Sequence, residues 1–252
     1  MKLKNLNTIF IAIALVISNA TCTKENDVSN ISGSKNGSLT RFITVNNFLY
    51  LIDNSNLISY NISTAGQPVF SNKQNVGFNI ETIFYTDNKL FIGSSNAMFI
   101  YGVTNPAVPN KISETTYRTI GRDPIIVIDT IAYSTLRNQA FGTNVINGGI
   151  LNIYNIKNAA QPMLANSLTL RNPYGLDAYQ NALYICDGAA GLAVYNKTNI
   201  TAPVLINYIT STETFYDAIV EGQTLIAYIK GGVAFYNIST PLNPLLLQIF
   251  KN

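Results

Sequence analysis

The stretch LYICDGAAGLAVYNKTNIT, from Leu183 to Thr201, is one copy of a unit that recurs along the chain. Four imperfect copies read FLYLIDNSNLISYNIST, LFIGSSNAMFIYGVTNP, GGILNIYNIKNAA and LIAYIKGGVAFYNISTP. In each copy an apolar run ends in a tyrosine, and the five tyrosines, 41, 53, 41 and 41 residues apart, are Tyr60, Tyr101, Tyr154, Tyr195 and Tyr236. A proline follows eight residues after each tyrosine, at Pro68, Pro109, Pro162, Pro203 and Pro244. The chain is therefore built from five repeats, and the third carries an insertion.

Repeats of about 40 residues made of short strands are typical of β-propellers, in which each repeat forms one four-stranded blade. In the fourth repeat the apolar and turn residues predict strands over 174–179, 182–186, 192–196 and 203–208. Both faces of these strands are apolar, so each sheet needs a neighbour on either side. The sequence predicts an all-β, five-bladed β-propeller of about 41-residue units. We expect no long helix after the N-terminal segment, and a ring that closes by pairing whole blades.

A short amide follows the tyrosine in four of the repeats, at Asn61, Asn155, Asn196 and Asn237, and Gly102 takes this place in the second. Asparagine at the end of a strand accepts a hydrogen bond from the backbone two residues further on. We therefore expect these residues to end the third strand of each blade. The proline that follows is tolerated at the start of an outer, edge strand.

The N-terminus carries the features of a secretory signal over residues 1–21, with Lys2 and Lys4 before the apolar core 9–17. Two processing hypotheses remain open. Signal peptidase would cleave after Ala20, whereas Cys22 would accept lipid if the protein is a lipoprotein. The charged residues after Cys22 resemble the tail that sends some lipoproteins to the cell surface, which favours lipidation and an outer-membrane location. Residues 22–38 are polar and predict a flexible tether, and residues 39–252 form the propeller.

The repeat LYICDGAAGLAVYNKTNITAPVLINYI resembles the LVIVD repeats of exported bacterial and archaeal surface proteins. The resemblance covers the chain from Leu39 to its C-terminus. It implies a β-propeller fold. The typical repeat has an aspartate at a position where this chain has asparagine in four repeats and glycine in one. That family has no common catalytic motif, so the resemblance implies no particular activity.

The residue types narrow the chemistry. The chain has no histidine and only two cysteines, which argues against Ser-His-Asp and Cys-His machinery and against zinc or copper sites. Cys186 lies within an apolar run and is predicted to fill the core. We expect no cofactor and no metal. With 16 basic and 13 acidic residues, two of the basic ones in the signal, the chain has no charge excess that would indicate nucleic-acid binding.

Two carboxylates offer an alternative. Asp177 and Asp217 fall in the predicted first strands of adjacent blades, which line the channel of a propeller. A pair of carboxylates there would suit a glycan-acting hydrolase or lyase. Solvated residues that merely line the channel are the simpler interpretation.

The arginines suggest where a partner binds. Arg118, Arg122 and Arg171 are predicted in connections between blades, Arg137 in the enlarged loop 136–149 of the third repeat, and Arg41 at the start of the first strand. These places open on one face of a propeller, and the aromatic residues Tyr117, Phe141 and Tyr174 accompany them. Arginine beside aromatic residues suits protein, carboxylate or glycan contacts, although five arginines could share a face by chance.

The function we expect is that of a surface-tethered, non-enzymatic lipoprotein of the outer membrane, facing the periplasm or the cell surface. Its partner would be an envelope protein or a polysaccharide. It would touch the membrane only through a lipid on Cys22 and would bind no nucleic acid.

Overall fold

The computed structural model describes residues 37–117, 121–122, 124–138 and 148–252. These residues form strands, turns and loops, arranged as five antiparallel sheets whose strands follow one another in chain order. The chain is a five-bladed β-propeller, as the repeats predict. Within the described ranges no helix is long and apolar enough to cross a membrane.

The first two blades hold eight strands. The first blade contains β1 (Phe42–Val45), β2 (Phe48–Ile52), β3 (Asn56–Asn61) and β4 (Val69–Asn75). The second contains β5 (Ile80–Thr86), β6 (Lys89–Ser94), β7 (Ala97–Gly102) and β8 (Asn110–Thr116).

The third blade has one extra, very short strand. It contains β9 (Gly121–Arg122), β10 (Ile125–Ile128), β11 (Ile131–Asn138), β12 (Gly149–Asn155) and β13 (Met163–Leu170). Both β9 and β10 pair with β11, so together they act as an interrupted first strand. The insertion of this repeat falls between β11 and β12, and residues 139–147 lie outside the described ranges.

The last two blades are regular. The fourth contains β14 (Leu176–Tyr179), β15 (Ala182–Cys186), β16 (Leu192–Asn196) and β17 (Val204–Ile209). The fifth contains β18 (Phe215–Glu221), β19 (Thr224–Ile229), β20 (Gly232–Asn237) and β21 (Leu245–Lys251). The two middle strands predicted for the fourth repeat match β15 and β16 at both ends, and the outer two differ by one or two residues.

The asparagines after the repeat tyrosines end the third strands as expected. The Oδ1 atom of Asn61 accepts a hydrogen bond from the backbone N–H of Ser63 at 2.8 Å, and Asn237 does the same with Ser239 at 2.8 Å. Asn155 and Asn196 make the equivalent bonds. In these four blades the turn from the third to the fourth strand is thereby fixed by a side-chain hydrogen bond.

The hydrophobic core lies between consecutive blades, in four clusters. They join blade one to two, two to three, three to four and four to five. Buried tyrosines on second strands reach across three of these interfaces to the following blade. The hydroxyls of Tyr50, Tyr133 and Tyr184 donate to the carbonyl oxygens of Pro106, Ile200 and Pro241, at 2.9, 2.6 and 2.8 Å. Each tyrosine thus ties its blade to a turn of the next.

Two of the ten blade faces are less covered than the others. One is the face of the fifth blade that points away from the fourth, and the other is the face of the first blade that points away from the second. We call these two faces together the seam. In the fifth blade Tyr228 is 54% exposed, and in the first blade Phe42 is 62% exposed. The ring is therefore less tightly packed at the seam than between its other blades. Each described sheet is completed by strands consecutive in the chain, as expected of a ring built from whole blades.

Residues 37–41 lie along the inner ends of several blades before β1 begins. The Ser38 hydroxyl accepts a hydrogen bond from the N–H of Leu176 at 2.8 Å and donates to Asp217 Oδ1 at 3.1 Å. The carbonyl oxygen of Thr40 accepts from the N–H of Ile83 at 2.8 Å. This short segment therefore contacts the first strands of blades two, four and five. Ser38 belongs to this ordered segment rather than to the tether.

Candidate functional site

A cavity of about 370 Å³ opens where the inner ends of four blades converge. Its polar walls are Arg41, Asn54, Asn79, Glu81, Thr82 and Arg137, and its apolar walls are Leu39, Ile80, Pro124, Pro173 and Tyr174. The second strand of an antiparallel blade ends on the same side as the first strand begins, so this is the face on which the arginines were expected. The structure brings three of the predicted residues together here: Arg41, Arg137 and Tyr174.

Arg137 and Tyr174 form the centre of one wall. The guanidinium carbon of Arg137 lies 3.8 Å from the centroid of the Tyr174 ring. Arg137 belongs to β11 rather than to the enlarged loop, because β11 continues to Asn138 and pairs there with β9. The strand fixes the backbone of Arg137, so its side chain reaches the cavity from a rigid element. The sequence placed this residue in the right region but in the wrong element.

Tyr174 is held from several sides. Its backbone N–H donates to the carbonyl oxygen of Cys186 at 2.7 Å, and its carbonyl oxygen accepts from the Thr135 hydroxyl at 2.6 Å. Thr135 is fully buried next to Leu136 in β11. On its other side the Tyr174 ring meets the edge of Tyr216 at 5.2 Å between centroids. A cation–π pair built on so constrained a ring is preorganised.

Asp187 organises the connection that precedes Tyr174. Its carboxylate is fully buried and accepts hydrogen bonds from the N–H groups of Arg171 and Asn172 at 3.1 and 2.5 Å, and from the Tyr208 hydroxyl at 2.7 Å. Burial and this hydrogen bond raise the pKa of Tyr208 above its usual value. Sequence reasoning missed Asp187, although its position directly after a second strand was the available signal. Asp53 follows β2 in the same position, but its carboxylate accepts from the N–H groups of Ser55 and Asn56 in the next turn.

Other predicted residues lie elsewhere. The Arg171 guanidinium packs over the Tyr208 ring at 5.0 Å and does not line the cavity. Tyr117 is only 7% exposed and packs against Tyr154 in the core between blades two and three, away from the cavity. Arg122 lies in β9 rather than in a connection. Arg118, Phe141 and Cys22 lie outside the described residues.

The two channel aspartates are bound up in the backbone of the fourth and fifth blades. Asp177 Oδ2 accepts from the N–H of Val220 at 2.7 Å, which links β14 to β18. Asp217 accepts from Ser38 and from the N–H of Ala218 at 2.9 Å. Burial raises the pKa of Asp217 to about 6, against the lowering effect of these two hydrogen bonds. Neither carboxylate lines the cavity.

Gly175 explains how Asp217 fits. A Cβ atom at this position would lie 1.8 Å from Asp217 Oδ1 and 2.9 Å from the Ser38 hydroxyl. The space that glycine leaves open is therefore filled by a carboxylate and its hydrogen-bonding partner. Gly175, Ser38 and Asp217 therefore form a close structural contact near the first strands of blades four and five.

The chemistry of the remaining groups agrees with a non-reactive interior. Cys186 is fully buried, and desolvation raises the pKa of its thiol well above the usual value. A thiol in that state is a poor nucleophile. Across the part of the chain that the structure describes, no group of three or more Cys, Asp or Glu side chains is arranged to hold a metal ion.

Comparison with known proteins shows the fold and nothing finer. No known family profile matches the chain. A search of curated proteins finds no match either. Among solved structures, the periplasmic gluconolactonase PpgL of Pseudomonas aeruginosa is similar with a TM-score of 0.64 at 8% identity, over 81% of this chain and 69% of that chain.

Two further structures are similar in the same way. A protein from Lactobacillus plantarum gives a TM-score of 0.61 at 11% identity, over 82% of this chain and 69% of that one. The computationally designed Ika8 protein gives 0.55 at 9% identity, over 84% of this chain. The chain spans 59% of the length of Ika8. These likenesses support the β-propeller fold.

Proposed function

We propose that the protein is a surface-tethered, non-enzymatic binding propeller of the cell envelope, and that the cavity on its arginine-bearing face receives an acidic group of a protein or polysaccharide. The observation that carries the proposal is the Arg137 guanidinium held over Tyr174, with Arg41 on the same cavity. Arginine is suited to carboxylates because its planar fork donates two parallel hydrogen bonds. Glu81 on the same cavity would repel a ligand whose charge is wrongly placed.

The cavity is large enough for one sugar residue or one side chain and has walls from four blades. Sites of a few hundred Å³ with a few convergent polar groups are the usual form of ligand pockets. The opposing hypothesis, a hydrolase or lyase that uses Asp177 and Asp217, has less support because both carboxylates are engaged by backbone N–H groups.

Binding is tested by screening the purified protein against acidic and neutral envelope glycans and against envelope proteins. We expect Arg137→Ala to weaken capture of an acidic partner by about tenfold or more, since a charge-assisted bond contributes about 1.5–3 kcal/mol. Arg171→Ala is the matched control: it also removes an arginine that packs on a tyrosine, but outside the cavity. Equal losses for both variants would show that overall charge, not the cavity, drives capture.

The enlarged loop of the third repeat is proposed to border the same surface. Replacing residues 138–147 by a short Gly-Ser turn should abolish capture while the thermal unfolding temperature stays nearly unchanged, because loop length affects closure entropy only weakly. Unaltered capture would place the binding surface elsewhere.

Tethering is proposed through lipid on Cys22. Labelling cells with a fatty-acid probe should mark the wild type and spare Cys22→Ala. Label retained by that variant would exclude the anchor, and a mature N-terminus at Thr21 would show cleavage by ordinary signal peptidase.

A further inference from the structure

The two seam faces differ from the equivalent faces of the other blades, as far as the structure describes them. In the first blade Leu49, Leu51, Ile58 and Tyr60 point away from the second blade, and all four are only half-buried. Their counterparts in the fourth blade, by strand register, are Leu183, Ile185, Ala193 and Tyr195, which are buried. The same apolar pattern is therefore buried in the fourth blade and only partly covered in the first.

The fifth blade shows the matching half. Ile226, Val233 and Phe235 are half-buried and Tyr228 is more than half exposed. The residues at these positions in the fourth blade, Tyr184, Leu192, Val194 and Cys186, have no exposed surface. Within the described ranges, this apolar sheet face is therefore less covered in the fifth blade than in the fourth.

The turn between β3 and β4 shows the same difference among the residues that the structure describes. Ile62 follows Asn61 and is half-buried. The residue at this position in blades two to five is buried in every case, with exposures of 7% for Val103 and 0% for Ile238 at the two ends of that series. In those blades the turn contacts the preceding blade.

The two open faces are of opposite kinds. At each of the four closed interfaces, the face that one blade presents to its successor packs on the face that the successor presents to its predecessor. The fifth blade has an unmatched face of the former kind and the first blade has one of the latter. Each is therefore complementary, by the rule of the repeat, to the other open face of an identical chain.

We propose that the protein associates with a second copy of itself through the seam, with the outer face of the first blade of one molecule packed on the outer face of the fifth blade of its partner. The contact is head to tail, and it continues the blade stacking within each chain. Head-to-tail contacts join different surfaces, so they form closed rings or open chains rather than simple two-fold pairs. This association is independent of the cavity and of its ligand.

The test uses the full chain carrying Cys22→Ala, so that a lipid anchor takes no part, in sedimentation across a dilution series. We expect the unaltered seam to give dimers or larger species. Leu51→Lys, which spoils the first-blade face, and Val233→Lys, which spoils the fifth-blade face, should each weaken self-association by more than about tenfold, because a charge replaces apolar surface. Val204→Lys alters an equally apolar, exposed position on β17 away from the seam and should change nothing.

Mixing the two seam variants distinguishes this geometry from all others. Leu51→Lys keeps a sound fifth-blade face and Val233→Lys keeps a sound first-blade face, so an equimolar mixture should form a dimer that stops at two chains. Circular dichroism checks that each variant is folded. A lysine variant that does not fold is replaced by the serine variant at the same position, Leu51→Ser or Val233→Ser. A monomeric parent chain, self-association of either variant alone, a mixture that stays monomeric, or dissociation by Val204→Lys would each overturn the proposal.

Discussion

The interface between blades four and five and the seam between blades five and one are built from the same repeat, yet only the former is closed. Both present Leu, Ile and Val at alternate positions. At the closed interface the Tyr184 hydroxyl bonds to Pro241, whereas the residue at that position in the fifth blade is Ile226, which has no donor. Alternating apolar residues give each face a surface that favours packing, but this alone does not make two blades pack together.

Each closed interface contains a side chain that donates to a turn carbonyl of the next blade. Where the tyrosine is missing, as at Phe91 in the second blade, the Ser113 hydroxyl donates to the Ala159 carbonyl oxygen at 2.7 Å instead. The third blade adds a bond from the Asn166 amide to the Thr201 carbonyl oxygen at 3.0 Å. These bonds fix which turn each blade meets and so make the closed arrangement specific.

The largest contrast is expected from truncating equivalent side chains on the two faces. Leu192→Ala removes a fully buried side chain between blades four and five and should lower the free energy of unfolding by about 2–5 kcal/mol. Val233→Ala, at the equivalent position in the seam, should lower it by less than about 1 kcal/mol. Urea unfolding at a dilution where the chain is monomeric measures both. Equal losses would show that the seam is as closed as the other interfaces.

The inner end of the closed interface is expected to be sensitive to a single methyl group. Gly175→Ala would place a Cβ atom against the Asp217 carboxylate and should cost about 1–3 kcal/mol, as overpacking does. The double variant Gly175→Ala with Asp217→Ala should recover part of that loss, because the obstructing carboxylate is gone. A double variant whose loss is the sum of the two single losses would show that the two residues act independently.

Asp217 also predicts how pH affects this end of the interface. Burial raises its pKa from 3.8 to about 6, so between these values the folded protein holds a proton that the unfolded chain has released. This contribution to stability is therefore complete below about pH 4 and is lost as the pH rises through 6, by up to about 3 kcal/mol. Unfolding of the wild type and of Asp217→Asn at a series of pH values measures this contribution. If the carboxyl is not desolvated, the free energy of unfolding should depend on pH in the same way in both proteins.

Asp53 at the end of β2 provides a contrast of opposite sign. The Ser55 N–H, with further help from Asn56 and Lys73, holds the pKa of this carboxyl at about 2. Its contribution is present above about pH 4 and is lost as the pH falls through 2. The two aspartates therefore act in separate pH windows, and Asp53→Asn should leave the slope between pH 4 and 6 unchanged.

The sequence was sufficient for the fold because the repeat is regular in the residues that set strand ends. Asn196 and Pro203 fixed the end of the third strand and the start of the fourth to within a residue. It was less informative about the site, because Arg137 and Tyr174 lie 37 residues apart and are held by long-range contacts, the pairing of β9 with β11 and the hydrogen bonds of buried Asp187. Neither of these long-range contacts produces a periodic pattern in the sequence. The seam was missed for the same reason, since Leu51 and Ile185 occupy equivalent positions in their repeats.

The smallest expected effect isolates one hydroxyl on either side of the comparison. Tyr184→Phe leaves the ring in place but removes the donor to Pro241, so the Pro241 carbonyl loses its partner and the free energy of unfolding should fall by about 1 kcal/mol. Tyr228→Phe makes the same chemical change on the exposed seam and should alter stability by less than about 0.5 kcal/mol. Burial raises the pKa of Tyr184, so its hydroxyl stays protonated and able to donate throughout the neutral range. Urea unfolding of the two variants therefore compares a tyrosine that is hydrogen-bonded to the next blade with one that is exposed on the seam. A Tyr184→Phe variant as stable as the wild type would mean that packing alone closes the interface, and the cause of the open seam would then lie in the shapes of its two faces.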